Sequence, residues 1–283
     1  MDRTLTLSFS CPDASGIVAE VSSFVASHQG WITEASQHTE HELSQFFMRV
    51  EIRASSLNFP AEEFAQRFQP IAQKYKMAWQ VTDSAKPRRV ILLCSKQEHC
   101  LYDLLSRHLA QDFRFTIPCV ISNHENHRKV VEAHGIPFHF VPVTLENKAA
   151  AYQKMAALFR QEKADFIVLA RYMQVLDESL CQEFAGKILN IHHSFLPSFA
   201  GAKPYHQAHR RGVKLIGATC HFVTPELDEG PIVEQDVIRV DHSDTPESMV
   251  QLGKDIEKVV LARGLRAVVE DRVLLAGNKT VVF

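Results

Sequence analysis

The chain lacks the marks of several classes of protein. No apolar run reaches the roughly 20 residues that a membrane-spanning helix needs, so no such helix is expected. The N-terminus, M-D-R-T-L-T-L-S-F, has neither the long apolar region nor the small-residue cleavage site of a secretory signal. The cytoplasm is therefore the expected setting. The six cysteines, Cys11, Cys94, Cys100, Cys119, Cys181 and Cys220, form no C-x-x-C pair. Scattered among apolar neighbours, they are expected as small buried hydrophobes in a reducing compartment. Histidine is abundant, at 15 residues, but there is no H-E-x-x-H and no paired Cys/His spacing, so no metal is expected. Charge of either sign is not in excess: the formal net charge is −2. Nothing suggests a nucleic-acid surface or a polyanionic tail.

One absence is local and more informative. The apolar run R-V-I-L-L-C-S (89–95) leads into a helix through S-K-Q-E-H-C, with no glycine at the junction. A phosphate cradle at such a strand–helix turn needs backbone amides brought close by glycine. A dinucleotide or a phosphorylated substrate is not expected at that position.

What is present is an ordinary globular composition, 46% hydrophobic and 23% charged over 283 residues, long enough for two domains. Residues 4–10 alternate as a strand. Ile17, Val18, Val21, Phe24 and Val25 then give a helical stripe, with Asp13 as the expected N-cap and Gly30 as the stop. Strands at 31–39 and 45–53 read as a hairpin. Pro60 opens a second helix carrying Phe64, Phe68 and Ile71, and 77–82 is a last strand. The order β-α-β-β-α-β is ferredoxin-like. A first domain is expected over 1–83, a polar linker over 84–88 and a second domain over 89–283.

The second domain alternates. Strands are expected at 89–95, 114–121, 138–141, 165–170 and 187–192. Helices are expected at 97–110, 125–134, 146–162 and 175–184. Such alternation implies right-handed β-α-β units and a doubly wound, mostly parallel sheet. Residues 214–223 and 231–240 form a hairpin, 246–269 a long helix, and the tail a small hairpin around Gly277-Asn278.

The chain is organised around K-I-L-N-I-H-H-S-F-L-P-S (187–198). Asn190 and His192, two apart on a strand, share a face, and the crevice beyond parallel strand ends is where ligands bind. A carboxamide and an imidazole there suit acyl chemistry: one hydrogen-bonds a developing oxyanion, the other holds or moves a proton. Asp228, in the turn E-L-D-E-G-P (226–231), supplies a carboxylate that orients His192 or activates water. The sequence leaves open which of Asp228 and His192 is the base.

Two resemblances follow. C-P-D-A-S-G-I-V-A (11–19) resembles the D-x-x-G-[IL]-[VL] turn of ACT domains. This implies a regulatory module with an amino-acid effector near Asp13, Ser15, Gly16 and Ile17, and a homo-oligomer. The competing reading is a bare helix cap. Residues 89–275 resemble the folate-dependent formyltransferase fold through L-A-R-Y-M-Q-V-L (169–176), N-I-H-H-S-F-L-P-S (190–198), A-T-C-H-F-V (218–223) and E-L-D-E-G-P-I (226–232). With the first module, the whole chain resembles the formyltetrahydrofolate deformylase family.

That resemblance implies hydrolysis of 10-formyltetrahydrofolate to tetrahydrofolate and formate, which supplies purine synthesis and balances one-carbon folate pools. It implies no cofactor beyond the folate substrate. Asn190, His192 and Asp228 would be catalytic; Arg171, Tyr172, Met173 and Gln174, with Leu176, Thr224 and Leu227, would hold the substrate. His193 reads as a supporting residue and Tyr172 as packing. Lys203, Tyr205 and His206 read as pocket mouth or exposed loop. Two rivals remain: a transferase with an amine acceptor, and an amino-acid sensor that only binds folate.

Overall fold

The computed structural model describes residues 2–198 and 204–283, which divide into two compact units. The first contains Met1–Pro87 and Glu270–Phe283, the second Arg88–Val269. In the first, β1 (Thr4–Pro12), α1 (Ile17–Ser27), β2 (Trp31–Glu40), β3 (Gln45–Arg53), α2 (Phe64–Lys74) and β4 (Ala78–Asp83) follow the expected order. The antiparallel sheet runs β2-β3-β1-β4, the ferredoxin-like arrangement. Period-two alternation sends Leu5, Leu7 and Phe9 to the face that α1 and α2 cover with Val21, Phe24, Phe64 and Phe68. Asp13 is not the helix cap that the sequence suggests. Gly16, at φ 91°, occupies the N-cap, and the Asp13 amide instead donates to the Ser44 carbonyl at 3.0 Å. Pro60 leads into a 3₁₀ turn over Ala61–Glu63 before α2 begins.

The second unit carries β5 (Arg88–Cys94), α3 (His99–Ala110), β6 (Phe115–Thr116), β7 (Val120–Ser122), α4 (Arg128–Ala133), β8 (Phe138–Phe140), α5 (Lys148–Gln161), β9 (Phe166–Ala170), α6 (Glu178–Glu183) and β10 (Ile188–His192). Then come α7 (Pro204–Arg211), β11 (Leu215–Phe222), β12 (Ile232–Arg239) and the 24-residue α8 (Pro246–Val269). The expected strand at 114–121 is broken into β6 and β7: Ile117-Pro118 intervenes, and proline cannot donate to a ladder. Helix α7 has no counterpart among the sequence expectations.

The large sheet runs β12-β11-β10-β9-β5-β7-β8, with β6 beside β5. From β10 through β8 the pairs are parallel; β10–β11 and β11–β12 are antiparallel. In the β11–β12 ladder the pairing passes from Cys220 opposite Glu234 to His221 opposite Ile232, leaving Val233 as an extra residue, a β-bulge. The core beneath the parallel strands joins Ile91, Leu93, Ile121, Ile167, Leu169 and Ile188 to Tyr152, Met155 and Phe159 of α5. None of the described helices is long and apolar enough to cross a membrane. All six cysteines are free and buried.

The tail departs from expectation. The hairpin β13 (Val273–Ala276) and β14 (Lys279–Val282) groups with the first unit, not the second. The reason is polar. Thr6, Ser8 and Arg49 are buried on the face of the first sheet away from its helices, and a buried polar face needs partners. Arg49 donates to the Glu270 carbonyl at 3.2 and 3.3 Å, and Gln80 and Thr82 donate to the Asp271 carboxylate at 3.2 and 2.5 Å.

Candidate active site

The C-terminal ends of β10, β9 and β5, neighbours in the sheet, open onto a cavity of about 580 Å³. Asn190 and His192 project from the end of β10 and both line it. Asp228 arrives from the β11–β12 hairpin. Its φ of 60° places it in the left-handed region, where aspartate is among the few side chains tolerated. Two residues on, a Cβ at Gly230 would lie 1.8 Å from the Phe222 carbonyl oxygen, so only glycine lets the hairpin close so tightly.

The hairpin brings Asp228 Oδ1 to 3.1 Å from His192 Nδ1. His192 is 6% exposed, and its Nε2 has no protein partner. An ionised carboxylate only accepts, so Nδ1 carries the hydrogen in this contact and the neutral ring leaves a lone pair on Nε2. Burial works to raise the Asp228 carboxyl. The hydrogen bond and charge of His192, with His221 and His193 nearby, outweigh it and hold the group below the usual aspartate range.

A histidine to which the sequence reading gave no role completes the geometry. His221 stands directly across the β10–β11 ladder from Asn190. Its Nδ1 lies 2.9 Å from the Phe222 carbonyl, so that nitrogen carries the hydrogen. Nε2 is then an acceptor, and the Asn190 amide donates to it at 3.1 Å. A carboxamide turned the other way would set two acceptors face to face. His221 therefore orients the amide and leaves one N–H of Asn190 for the cavity. Burial keeps the His221 imidazole below the usual range, which preserves that acceptor. The signal was in A-T-C-H-F-V: antiparallel register with β10 puts this histidine on the Asn190 face.

The loop after β10 is pinned from below. Thr219 donates to the Ser194 carbonyl at 2.8 Å and accepts from the Leu196 amide at 3.0 Å, while Gln235 donates to both Thr219 and the Leu196 carbonyl. His193 is pushed down to about 3, first by burial and then by the charge of Arg171. A neutral, partly buried ring suits support rather than proton transfer.

The residues expected to hold substrate all border the same cavity. Arg171, Tyr172, Met173, Gln174 and Leu176 follow β9; Thr224 and Leu227 lie in the hairpin. Two bonds shape the 171–176 segment: the Met173 amide donates to Ser95 Oγ at 2.9 Å, and Tyr152 donates to the Val175 carbonyl at 2.7 Å. Met173, Val175 and Leu227 remain exposed, giving the mouth an apolar surface. Tyr172 is 4% exposed and packs in the core. Tyr205 is buried and His206 exposed, and both reach the cavity; Lys203 lies outside the described residues.

Glu257, Arg171 and Tyr205 also line the cavity, and His99 joins them in a cluster whose members are all under a tenth exposed. Tyr205 donates to Glu257 Oε1 at 2.7 Å; His99 Nε2 and Arg171 Nε lie 2.8 and 3.3 Å from Oε2. Arg171 Nε also donates to Gln97 at 2.7 Å. Among the described residues, His99, Cys100 and Glu257 are spaced to hold a metal ion. Their chemistry does not fit one: both Glu257 oxygens are already engaged, a guanidinium stands beside them, and burial holds the Cys100 thiol well up, away from thiolate.

Known proteins resemble the chain over both of its units. The formyl transferase family profile matches residues 88–265. A formyltetrahydrofolate deformylase from Synechocystis is 44% identical over 99% of this chain and 98% of its own length. The crystal structure of a formyltetrahydrofolate deformylase from Pseudomonas syringae superposes with a TM-score of 0.98 at 56% identity, covering 100% of this chain and 95% of that one. A glycinamide ribonucleotide transformylase from Symbiobacterium toebii is similar over 70% of this chain and 94% of its own, with a TM-score of 0.66 at 28% identity.

Proposed function

The chain belongs to the formyltetrahydrofolate deformylase family and hydrolyses 10-formyltetrahydrofolate to tetrahydrofolate and formate, and from that premise we propose how its side chains do so. The folate ring system enters between the 171–176 segment and the 224–228 hairpin, against the apolar mouth. The formyl group lies over the ends of β10, within reach of Asn190 and His192. Water attacks the formyl carbon. His192 Nε2 takes the water proton, because Nδ1 is held by Asp228. Asp228 stabilises the imidazolium that forms and keeps the ring in place. The free N–H of Asn190 donates to the oxyanion. As the carbon–nitrogen bond breaks, His192 returns its proton to the folate nitrogen, and formic acid leaves and ionises. Side chains supply all the proton movement and charge stabilisation, so no cofactor is invoked.

The observation that carries this reading is the buried His192, tethered at Nδ1 and unpartnered at Nε2. The test is formate release by His192→Ala and Asp228→Asn. Loss of the base is expected to cost about 10²–10⁴ in kcat, with the fold intact by circular dichroism. Near wild-type release from both variants would remove these roles.

We propose further that the first unit is an ACT-type regulatory module. Its β1–α1 turn, with exposed Asp13 and Ser15, left-handed Gly16 and buried Ile17, would take an amino-acid effector, and the chain would act as a homo-oligomer. Six buried thiols suit a reducing cytoplasm. Formate release assayed with and without a panel of amino acids tests the effector.

A further inference from the structure

Glu257, Arg171 and Tyr205 line the cavity of His192, and His99 Nε2 lies 2.8 Å from Glu257, yet the hydrolysis above takes no proton or charge from this cluster. We propose that this cluster closes the β5–β9 end of the cavity against a second substrate, so that water is the nucleophile that reaches the formyl carbon. The inference rests on the deformylase reading and names what makes the site hydrolytic rather than acyl-transferring.

Three observations support it. First, position. The strand ends succeed one another as β10, β9, β5. His192 ends β10, Arg171 directly follows β9, and Gln97 and His99 follow β5. The substrate-facing segments 171–176 and 224–228 leave that β5 side as the approach for an acceptor, and there the cluster stands.

Second, saturation. An amine acceptor has to be anchored by free donors and acceptors on the wall. Both oxygens of Glu257 are taken, and Arg171 Nε is shared between Glu257 and Gln97. Burial opposes the Glu257 charge, but His99, Arg171 and Tyr205 hold its carboxyl below the usual glutamate range. An incoming polar group that engaged the Glu257 carboxylate would have to displace one of these partners and leave a buried charge less compensated. Water requires no such anchor.

Third, the cluster is wedged. A Cβ on Gly253 would lie 2.1 Å from the Tyr205 ring, so the ring presses on the α8 backbone one turn before Glu257 and is held there. Arg171 has φ 62°, where glycine rests without strain and arginine does not. A long cation has been placed where the backbone disfavours it, and what it gains is the contact with Glu257.

The test is partition. The full-length enzyme is given 10-formyltetrahydrofolate and hydroxylamine, and formylated hydroxylamine is measured against formate after subtraction of the enzyme-free reaction. The ratio does not depend on how much total activity a variant keeps, and a purely structural role would leave it unchanged. Wild type is expected to give almost only formate. Arg171→Gly is expected to raise the ratio about tenfold or more, and Arg171→Gly with Glu257→Gln, which removes both charges, should do the same. Tyr205→Phe deletes one oxygen while keeping the ring on Gly253, and should shift the ratio the same way by less, which covers a folding failure of the first two. An unchanged ratio in variants that still release formate overturns the proposal, as does wild type that formylates hydroxylamine as readily as they do. Wild type that releases no formate would instead sink the deformylase reading.

Discussion

Two buried polar assemblies border one cavity, and they are built on opposite plans. Around His192 the bonding is incomplete: Nδ1 is held, Nε2 is unpartnered, and Asn190 keeps one N–H to give. Around Glu257 both carboxylate oxygens are taken. An unmet buried group costs stability and creates reactivity; a carboxylate with both oxygens engaged is inert and stiff, although His99 Nδ1 in its cluster, like His192 Nε2, has no partner. The contrast separates residues whose loss should stop the reaction from residues whose loss should weaken the fold.

The largest effect that would break the contrast is at Glu257. Glu257→Ala strands a buried guanidinium and is expected to cost about 3–5 kcal/mol, read by urea unfolding. A loss under about 1 kcal/mol would mean the cluster carries no structural load. Next comes Asn190→Ala, expected to lower kcat by about 10²–10³ with little change in Tm; equal losses of activity and stability would erase the distinction. Gly253→Ala drives a methyl into the Tyr205 ring and is expected to cost about 1–3 kcal/mol, while Gly277→Ala, at a tail turn of φ 63° where a Cβ would meet Leu43 Cδ1 at an ordinary 3.9 Å, reports chiefly backbone strain.

A further effect is in pH. His193 sits at about 3 in the fold against 6.5 unperturbed. Its native pKa is depressed, so below 6.5 the unfolded chain binds the proton that the folded chain refuses. Stability should fall as pH drops from about 6.5 towards 3. His193→Gln should flatten that slope in unfolding curves between pH 7 and pH 5, and an unchanged slope would place the titration elsewhere.

Local signals in the sequence were enough to locate Asn190 and His192 on a strand end and Asp228 in a glycine-backed turn. They also indicated the β-α-β alternation, because two-face burial writes itself as apolar runs such as R-V-I-L-L-C. What escaped depends on contacts distant in sequence. His221 gains its role only when β11 lies beside β10. Glu257 reads as one more polar residue on a long helix until His99, Arg171 and Tyr205 converge on it from three other segments. The tail joined the wrong unit because its partners, Arg49, Gln80 and Thr82, are some two hundred positions earlier. Asp13 read as a cap because its residue type favours caps, but the left-handed turn at Gly16 took the position.

The extra residue Val233 in the β11–β12 ladder carries a practical corollary. Side chains on a strand alternate, so one inserted residue reverses which face every later position addresses. The hairpin that delivers Asp228 thus depends on a count as well as on chemistry. Trimming a single position from 231–234 should disarm the enzyme more thoroughly than most replacements there. A redesign that keeps the spacing can change the letters, but one that keeps the letters cannot change the spacing.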